Sequence, residues 1–182
     1  MLEREIKLRF VDAAAARATA LRAGAAPLRA RRLQEDYLLD TPDGTLRQRR
    51  SVLRVRMETD RAFLTFKGPV HPSPMKLREE LETTVGDGPL LLRLLGELGF
   101  LVEFRYEKYR EEFVLNDVIV AVDETPVGTF IEIEGSAEGI GTAATALGCS
   151  SGDYLLDSYR ALFLHYCEQH GLPATDMLFG DV

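Results

Sequence analysis

The sequence predicts an α+β protein: a closed, eight-stranded antiparallel β-barrel with helices packed outside it. Three observations carry this expectation. Apolar and polar residues alternate at two-residue spacing through most of the first 134 positions, as strands with two unlike faces require. Helical periodicity is confined to short stretches. The polar positions of the alternating segments are almost purely ionisable, and acids dominate the first and last of them, so closing the sheet would bring those carboxylates together.

The first strand covers about 2–10 and leads to Asp12, a suitable N-cap for an Ala-rich helix that ends near Gly24. Extended segments follow at about 29–40 and 45–58, joined through Thr41-Pro42-Asp43-Gly44, whose glycine suits a positive φ. Two more, at about 61–68 and 75–85, flank the Pro-rich loop Gly68 to Pro74, which cannot continue a ladder. Residues 88–99 read as a helix with Leu90, Leu91, Leu94, Leu95 and Leu98 on one stripe and Gly99 closing it. Strands resume at about 101–115, 117–124 and 128–134, the first two meeting at Asn116-Asp117. A short helix near 137–147 and a longer amphipathic one near 152–169, carrying Tyr154, Leu155, Tyr159, Leu162, Phe163 and Tyr166, complete the pattern. Residues 1–170 read as one domain and 171–182 as a C-terminal tail.

At 182 residues one compact domain is the natural expectation. A net charge of −7, from 22 basic and 29 acidic residues, argues against nucleic-acid or membrane-surface partners. No apolar run has the length of a membrane span, and the chain starts on a charged strand pattern, so a cytoplasmic location is expected. Cys149 and Cys167 have neither metal spacing nor a disulfide framework.

Charge placement points to chemistry. Glu3, Glu5 and Lys7 share one face of the first strand; Arg54 and Arg56, then Thr65 and Lys67, then Arg78, Glu80 and Glu82 repeat the two-residue step. Lys108, Arg110 and Glu112 follow, then Asp123, then Glu132 and Glu134. A merely wet sheet face would mix Ser, Thr, Gln and Lys without grouping. Here acids and bases fall in blocks, and so many inward charges are tolerable only with opposite partners or a ligand. The basic block of Lys7, Arg54, Arg56, Lys67, Arg78, Lys108 and Arg110 suits a chain of phosphates. The acidic block of Glu3, Glu5, Asp123, Glu132 and Glu134 suits Mg2+ or Mn2+, which prefer oxygen ligands. Together they describe a metal-triphosphate site.

Six motifs in order, E-x-E-x-K at Glu3, Glu5 and Lys7, L-R-V-R at 53–56, L-T-F-K-G-P at 64–69, R-E-E-L-E at 78–82, E-K-Y-R at 107–110 and F-I-E-I-E at 130–134, resemble the CYTH superfamily. These triphosphate tunnel metalloenzymes include class IV adenylyl cyclases, thiamine triphosphatases and inorganic triphosphatases. The resemblance runs from about residue 2 to 165. It implies that Glu3, Glu5, Glu132 and Glu134 hold the divalent metal, with Asp123 as a further ligand, and that Lys7, Arg54, Arg56, Lys67 and Arg110 grip the triphosphate. Glu3, Glu5, Lys7, Glu132 and Glu134 would then form the catalytic set. Arg78, Glu80, Glu82 and Lys108 fit the tunnel pattern equally well as substrate contacts or as charge balance.

Such a site hydrolyses a phosphoanhydride without a Ser or His nucleophile. His71, His165, His170 and Ser158 stand outside every acidic or serine motif and read as surface or helix residues. Tyr37, Tyr109 and Tyr159 read as packing. Gly139-Ile140-Gly141-Thr142-Ala143-Ala144 matches G-x-G-x-x-A, yet the strand before it alternates charge where a dinucleotide fold needs an apolar one.

Three functions share this pattern. The first is a triphosphatase acting on inorganic triphosphate, thiamine triphosphate or a nucleoside triphosphate. The second is an adenylyl cyclase in which the ribose 3′-hydroxyl attacks the α-phosphate. The third is a non-enzymatic polyphosphate or nucleotide sensor, which would not need both acidic pairs. The partner in every case is a small triphosphate, and no adenine pocket is legible that would favour the cyclase. Oligomeric state is not readable.

Overall fold

A computed structural model describes residues 1–180. Strand β1 (Leu2–Phe10) is followed by α1 (Ala13–Arg22), β2 (Ala26–Asp40), the one-turn helix α2 (Thr45–Gln48), β3 (Val52–Met57), β4 (Ala62–Lys67) and β5 (Lys76–Val85). Then come α3 (Gly88–Glu97), β6 (Leu101–Leu115), β7 (Val118–Thr125), β8 (Gly128–Glu134), α4 (Ala137–Ala146) and α5 (Tyr159–His170). Every strand pairing is antiparallel, and the order β1-β5-β4-β3-β2-β6-β7-β8 closes because β1 pairs with both β5 and β8. The first and last strands are therefore neighbours, as the charge pattern required.

The hydrophobic core lies outside the sheet. Ala16 and Ala20 of α1 and Ile140 and Ala144 of α4 pack on Ile6, Leu8, Val120, Ile131 and Ile133, the apolar faces of β1, β7 and β8. Leu95 of α3 covers Leu39 and Val55 of β2 and β3. Tyr159, Leu162 and Phe163 of α5 meet Phe104, Tyr106 and Phe130. At about 1.5 to 3 kcal/mol for each large side chain fully buried, these contacts stabilise the shell and leave the interior face free to be polar.

Three elements differ from expectation. The extended segment at 45–58 is broken by α2, because the Asp40 carboxylate accepts the backbone N–H groups of Thr41, Leu46 and Arg47. Gly44 does take a positive φ of 70° at the start of that turn. The last helix starts at Tyr159, with a single 3-10 turn at Ser151–Asp153 before it, so Tyr154 and Leu155 are not helical. Since β5 faces β1 only as far as Glu5, the backbone of Lys7 needs other partners, and Leu155 exchanges both hydrogen bonds with it at 3.0 and 2.9 Å. The expected tail docks on β6: fully buried Met177 bonds Arg105 and Glu107 through the backbone, and Phe179 packs on Tyr109. Asp181 and Val182 lie outside the described residues.

The G-x-G-x-x-A segment has a packing explanation. A Cβ at Gly139 would sit 2.7 Å from Asp117 and Val118 at the β6–β7 turn, so glycine lets α4 approach that turn.

Candidate active site

The barrel encloses a cavity of about 510 Å3. Of the charged residues singled out from sequence, Glu3, Glu5, Lys7, Arg54, Arg56, Lys67, Arg78, Lys108, Arg110, Glu132 and Glu134 all line it, as do Glu80, Glu82 and Glu112. Period-two alternation on strands whose outer faces are buried by helices forces this placement, since the polar face then has only the interior left.

Along the β1–β8 seam Glu5 sits opposite Glu134 and Lys7 opposite Glu132. Lys7 Nζ lies 3.0 Å from Glu5 and 3.1 Å from Glu132. Burial disfavours its charge, but the two carboxylates outweigh that and hold its pKa above the usual lysine value. Glu5 also accepts from Lys76 at 2.6 Å, and burial, then Lys7, lower Lys76 to about 8. Lys67 bridges Glu3 at 2.8 Å and Glu80 at 2.5 Å. Across the cavity Arg56 forms a fork with Asp36 at 2.9 and 3.3 Å, and Arg54 donates to Thr65 at 3.1 Å. The Nε atoms of Arg54 and Arg78 are buried without a hydrogen-bond partner and are held by charge alone, 3.5 Å from Asp36 and 3.6 Å from Glu3.

Asp123 is placed differently from the other acids. It is fully buried, does not line the cavity, and spends its oxygens on Lys108 at 2.9 Å, on Arg110 at 2.7 and 2.5 Å and on the Tyr159 hydroxyl at 2.5 Å. Burial opposes its charge, yet Arg110 and Lys108 hold it down at about 2. So enclosed, the Asp123 carboxylate supports the two cations and does not face the cavity. Lys108, which shares Asp123 with Arg110, is lowered to about 7, first by burial and then by Arg110.

The carboxylates that do face the cavity fit a hard divalent cation by donor type. Burial and hydrogen bonding with Glu80 raise Glu3 to about 7 despite Lys67. Glu134, accessible from the cavity but crowded by Glu3 and Glu132, is also raised to about 7, chiefly by burial. Extra positive charge is therefore favoured beside these two groups. Among the described residues the acids do not form a ready-made cation cage, because Glu3, Glu5 and Glu132 are tied to lysines and arginines. A cation would replace part of that pairing.

Several cavity residues went unnoticed in the sequence. Arg32 and Gln34, which line the cavity, and Asp36, buried behind its wall, keep the same two-residue step on β2, and Lys76 extends that of Arg78 on β5. Tyr159, expected only to pack, also lines the cavity and orients Asp123. His71, His165 and His170 are exposed and outside the cavity lining, Tyr109 packs outside it against Arg31 and Phe179, and Ser158 caps α5 through Ala161 at the cavity edge.

Known proteins share this fold. A "Putative adenylate cyclase MJ0240" of Methanocaldococcus jannaschii is 31% identical over 111 residues, 60% of this chain, which spans 63% of that relative's length. The PH1819 protein of Pyrococcus horikoshii OT3 is 26% identical with a TM-score of 0.74, covering 90% of this chain and 99% of its own. A Hippeastrum protein described as a "Putative adenylyl cyclase" with a dominant triphosphatase activity has the same fold, with 20% identity, a TM-score of 0.68 and coverage of 94% and 97%. The CYTH domain model matches residues 1–147, which contain all eight strands and every charged cavity residue discussed above. This chain belongs to the CYTH family.

Proposed function

We propose that this protein is a divalent-metal-dependent triphosphatase, hydrolysing the terminal phosphoanhydride of inorganic triphosphate, thiamine triphosphate or a nucleoside triphosphate. The observation that carries this reading is a cavity in which Lys7, Arg54, Arg56, Lys67, Arg78 and Arg110 converge opposite the carboxylates of β1 and β8. Mg2+ or Mn2+, held by Glu3, Glu5, Glu132 and Glu134, would neutralise phosphate charge and lower the pKa of the attacking water. The arginines orient the phosphate chain by paired hydrogen bonds, while Lys7 and Lys67 supply point charges beside the acids. Asp36 and Asp123, buried behind the wall, fix Arg56 and Arg110 in place before substrate arrives. The substrate is a small molecule, and the free thiols Cys149 and Cys167 accord with a cytoplasmic location.

An adenylyl cyclase is the second reading, favoured by the description of the M. jannaschii relative. It would use the same grip with the ribose 3′-hydroxyl as nucleophile. Incubation with Mg2+ or Mn2+ and, separately, tripolyphosphate, thiamine triphosphate and ATP decides between them. Orthophosphate release supports the triphosphatase; pyrophosphate with cyclic AMP makes the protein a cyclase; no turnover on any of the three sinks both.

A further inference from the structure

Helix α3 is apolar on both of its faces. From Gly88 to Leu98 the chain carries six leucines and only two charged side chains, Arg93 and Glu97. Leu91, Leu92 and Leu95 join the cluster around Leu39 and Val55 on the outside of β2 and β3. Leu90, Leu94 and Leu98, four residues apart, form a stripe on the opposite face. Leu101 and Val102 follow it at the start of β6, and these five residues are between 44% and 74% exposed. Single exposed leucines are ordinary, but a helix apolar all round belongs in an interior, and a contiguous apolar patch marks a contact surface.

The charges around the stripe select what covers it. Arg93 and Glu97 are both exposed and lie on the same flank, one helical turn apart. When two copies of such a helix pack antiparallel about a two-fold axis, like flanks face each other in opposite directions. Arg93 of each copy then stands opposite Glu97 of the other, and Leu90, Leu94 and Leu98 meet across the axis. A net charge of −7 sets two copies against each other, except where a face is apolar and locally neutral, as this one is. An anionic lipid surface would instead call for a rim rich in lysine and arginine, and α3 has one arginine.

We infer that α3 is a self-association surface: two copies of this chain pair antiparallel through Leu90, Leu94 and Leu98, with reciprocal Arg93–Glu97 ion pairs at the rim. None of the five apolar residues lines the cavity, so pairing leaves it open. An interface with so small an apolar centre makes a weak dimer, with a Kd of about 10 to 100 µM.

Sedimentation velocity of the full chain, over concentrations spanning that range and with no substrate present, tests this. The wild type is expected to pass from monomer to dimer as its concentration rises. Leu94→Glu, an exposed position, should leave Tm unchanged and give monomer throughout. Arg93→Glu sets two like-charge pairs across the rim and should weaken association about tenfold. Adding Glu97→Arg to it should restore the wild-type behaviour, a rescue that reciprocal antiparallel pairing requires. A wild type that stays monomeric, a Leu94→Glu variant that still dimerises, or a double variant no better than Arg93→Glu alone overturns the proposal. Wild-type co-sedimentation with phosphatidylserine and phosphatidylcholine vesicles, abolished by Leu94→Glu, overturns it as well and assigns the face to a lipid surface.

Discussion

Arg110 meets Asp123 in a two-nitrogen fork, Nε at 2.7 Å and Nη2 at 2.5 Å, and the same Nη2 reaches Glu132 at 2.6 Å. The guanidinium thereby ties a fully buried acid behind the wall to an acid that faces the cavity. Removing the buried partner leaves Lys108 without its carboxylate and Arg110 with Glu132 alone, a loss of up to about 3 to 5 kcal/mol. Asp123→Asn is therefore expected to lower the unfolding free energy by an amount on that order while changing Mn2+ affinity little. Denaturant unfolding and metal titration of the same variant check this; a large loss of metal affinity at unchanged stability would make Asp123 a ligand after all.

Glu134→Gln is the cleanest test of the metal set. Glu5 and Glu132 are each bound to buried cations, so their substitution disturbs Lys7 and Arg110 as well as any metal. Glu134 is crowded by acids instead, and neutralising it relieves repulsion. The variant should be at least as stable as the wild type yet lose most metal-dependent turnover, measured as phosphate release against Mg2+ concentration. Glu132→Gln should lose turnover and stability together.

The raised carboxyls of Glu3 and Glu134 fix the sign of a pH effect. Between the unfolded value of 4.5 and the folded value of about 7 the native state holds protons that the unfolded chain has released. Their contribution to stability is thus full below pH 4.5 and is lost as pH rises towards 7. A divalent cation needs the ionised carboxylates and restores what is lost. The rise in Tm on adding Mg2+ should therefore be larger at pH 8 than at pH 5.5, and Glu134→Gln should flatten that difference. An equal rise at both values would mean that these acids do not face the cation.

Much of this site was legible because period two is geometrically strict. Once Glu3, Glu5 and Lys7 share a face of β1, pairing with β8 brings Glu132 and Glu134 to them. Less legible was which charges are spent on one another. Asp123 carries the same alternation as its neighbours, and only the approach of Tyr159 and Arg110 shows that it is enclosed. The start of α5 was obscured because Tyr154 and Leu155 continue an apolar helical stripe, while the unpaired backbone of Lys7, far off in sequence, claims Leu155 for the sheet. Gln34 escaped notice for a simpler reason: a neutral amide between Arg32 and Asp36 does not stand out in a pattern read by charge.

Glu58 provides a test independent of metal. Its side chain is 1% exposed and accepts from Arg29, Arg32 and Gln34. Burial alone would raise its pKa, but hydrogen bonds from Gln34, Arg32 and Arg29 hold it at about 2 against an unfolded value of 4.5. A depressed carboxyl stabilises the fold above its unfolded pKa and loses that contribution as the pH falls through 4.5 towards 2. At about 1.4 kcal/mol per pKa unit this amounts to a few kcal/mol at most. Glu58→Gln should reduce stability at pH 7 by leaving Arg29 and Arg32 short of an acceptor charge, and should make the acid limb of the unfolding curve between pH 4.5 and 2 shallower. Acid-unfolding profiles of variant and wild type that run parallel across that window would show that the arginines do not hold Glu58 ionised.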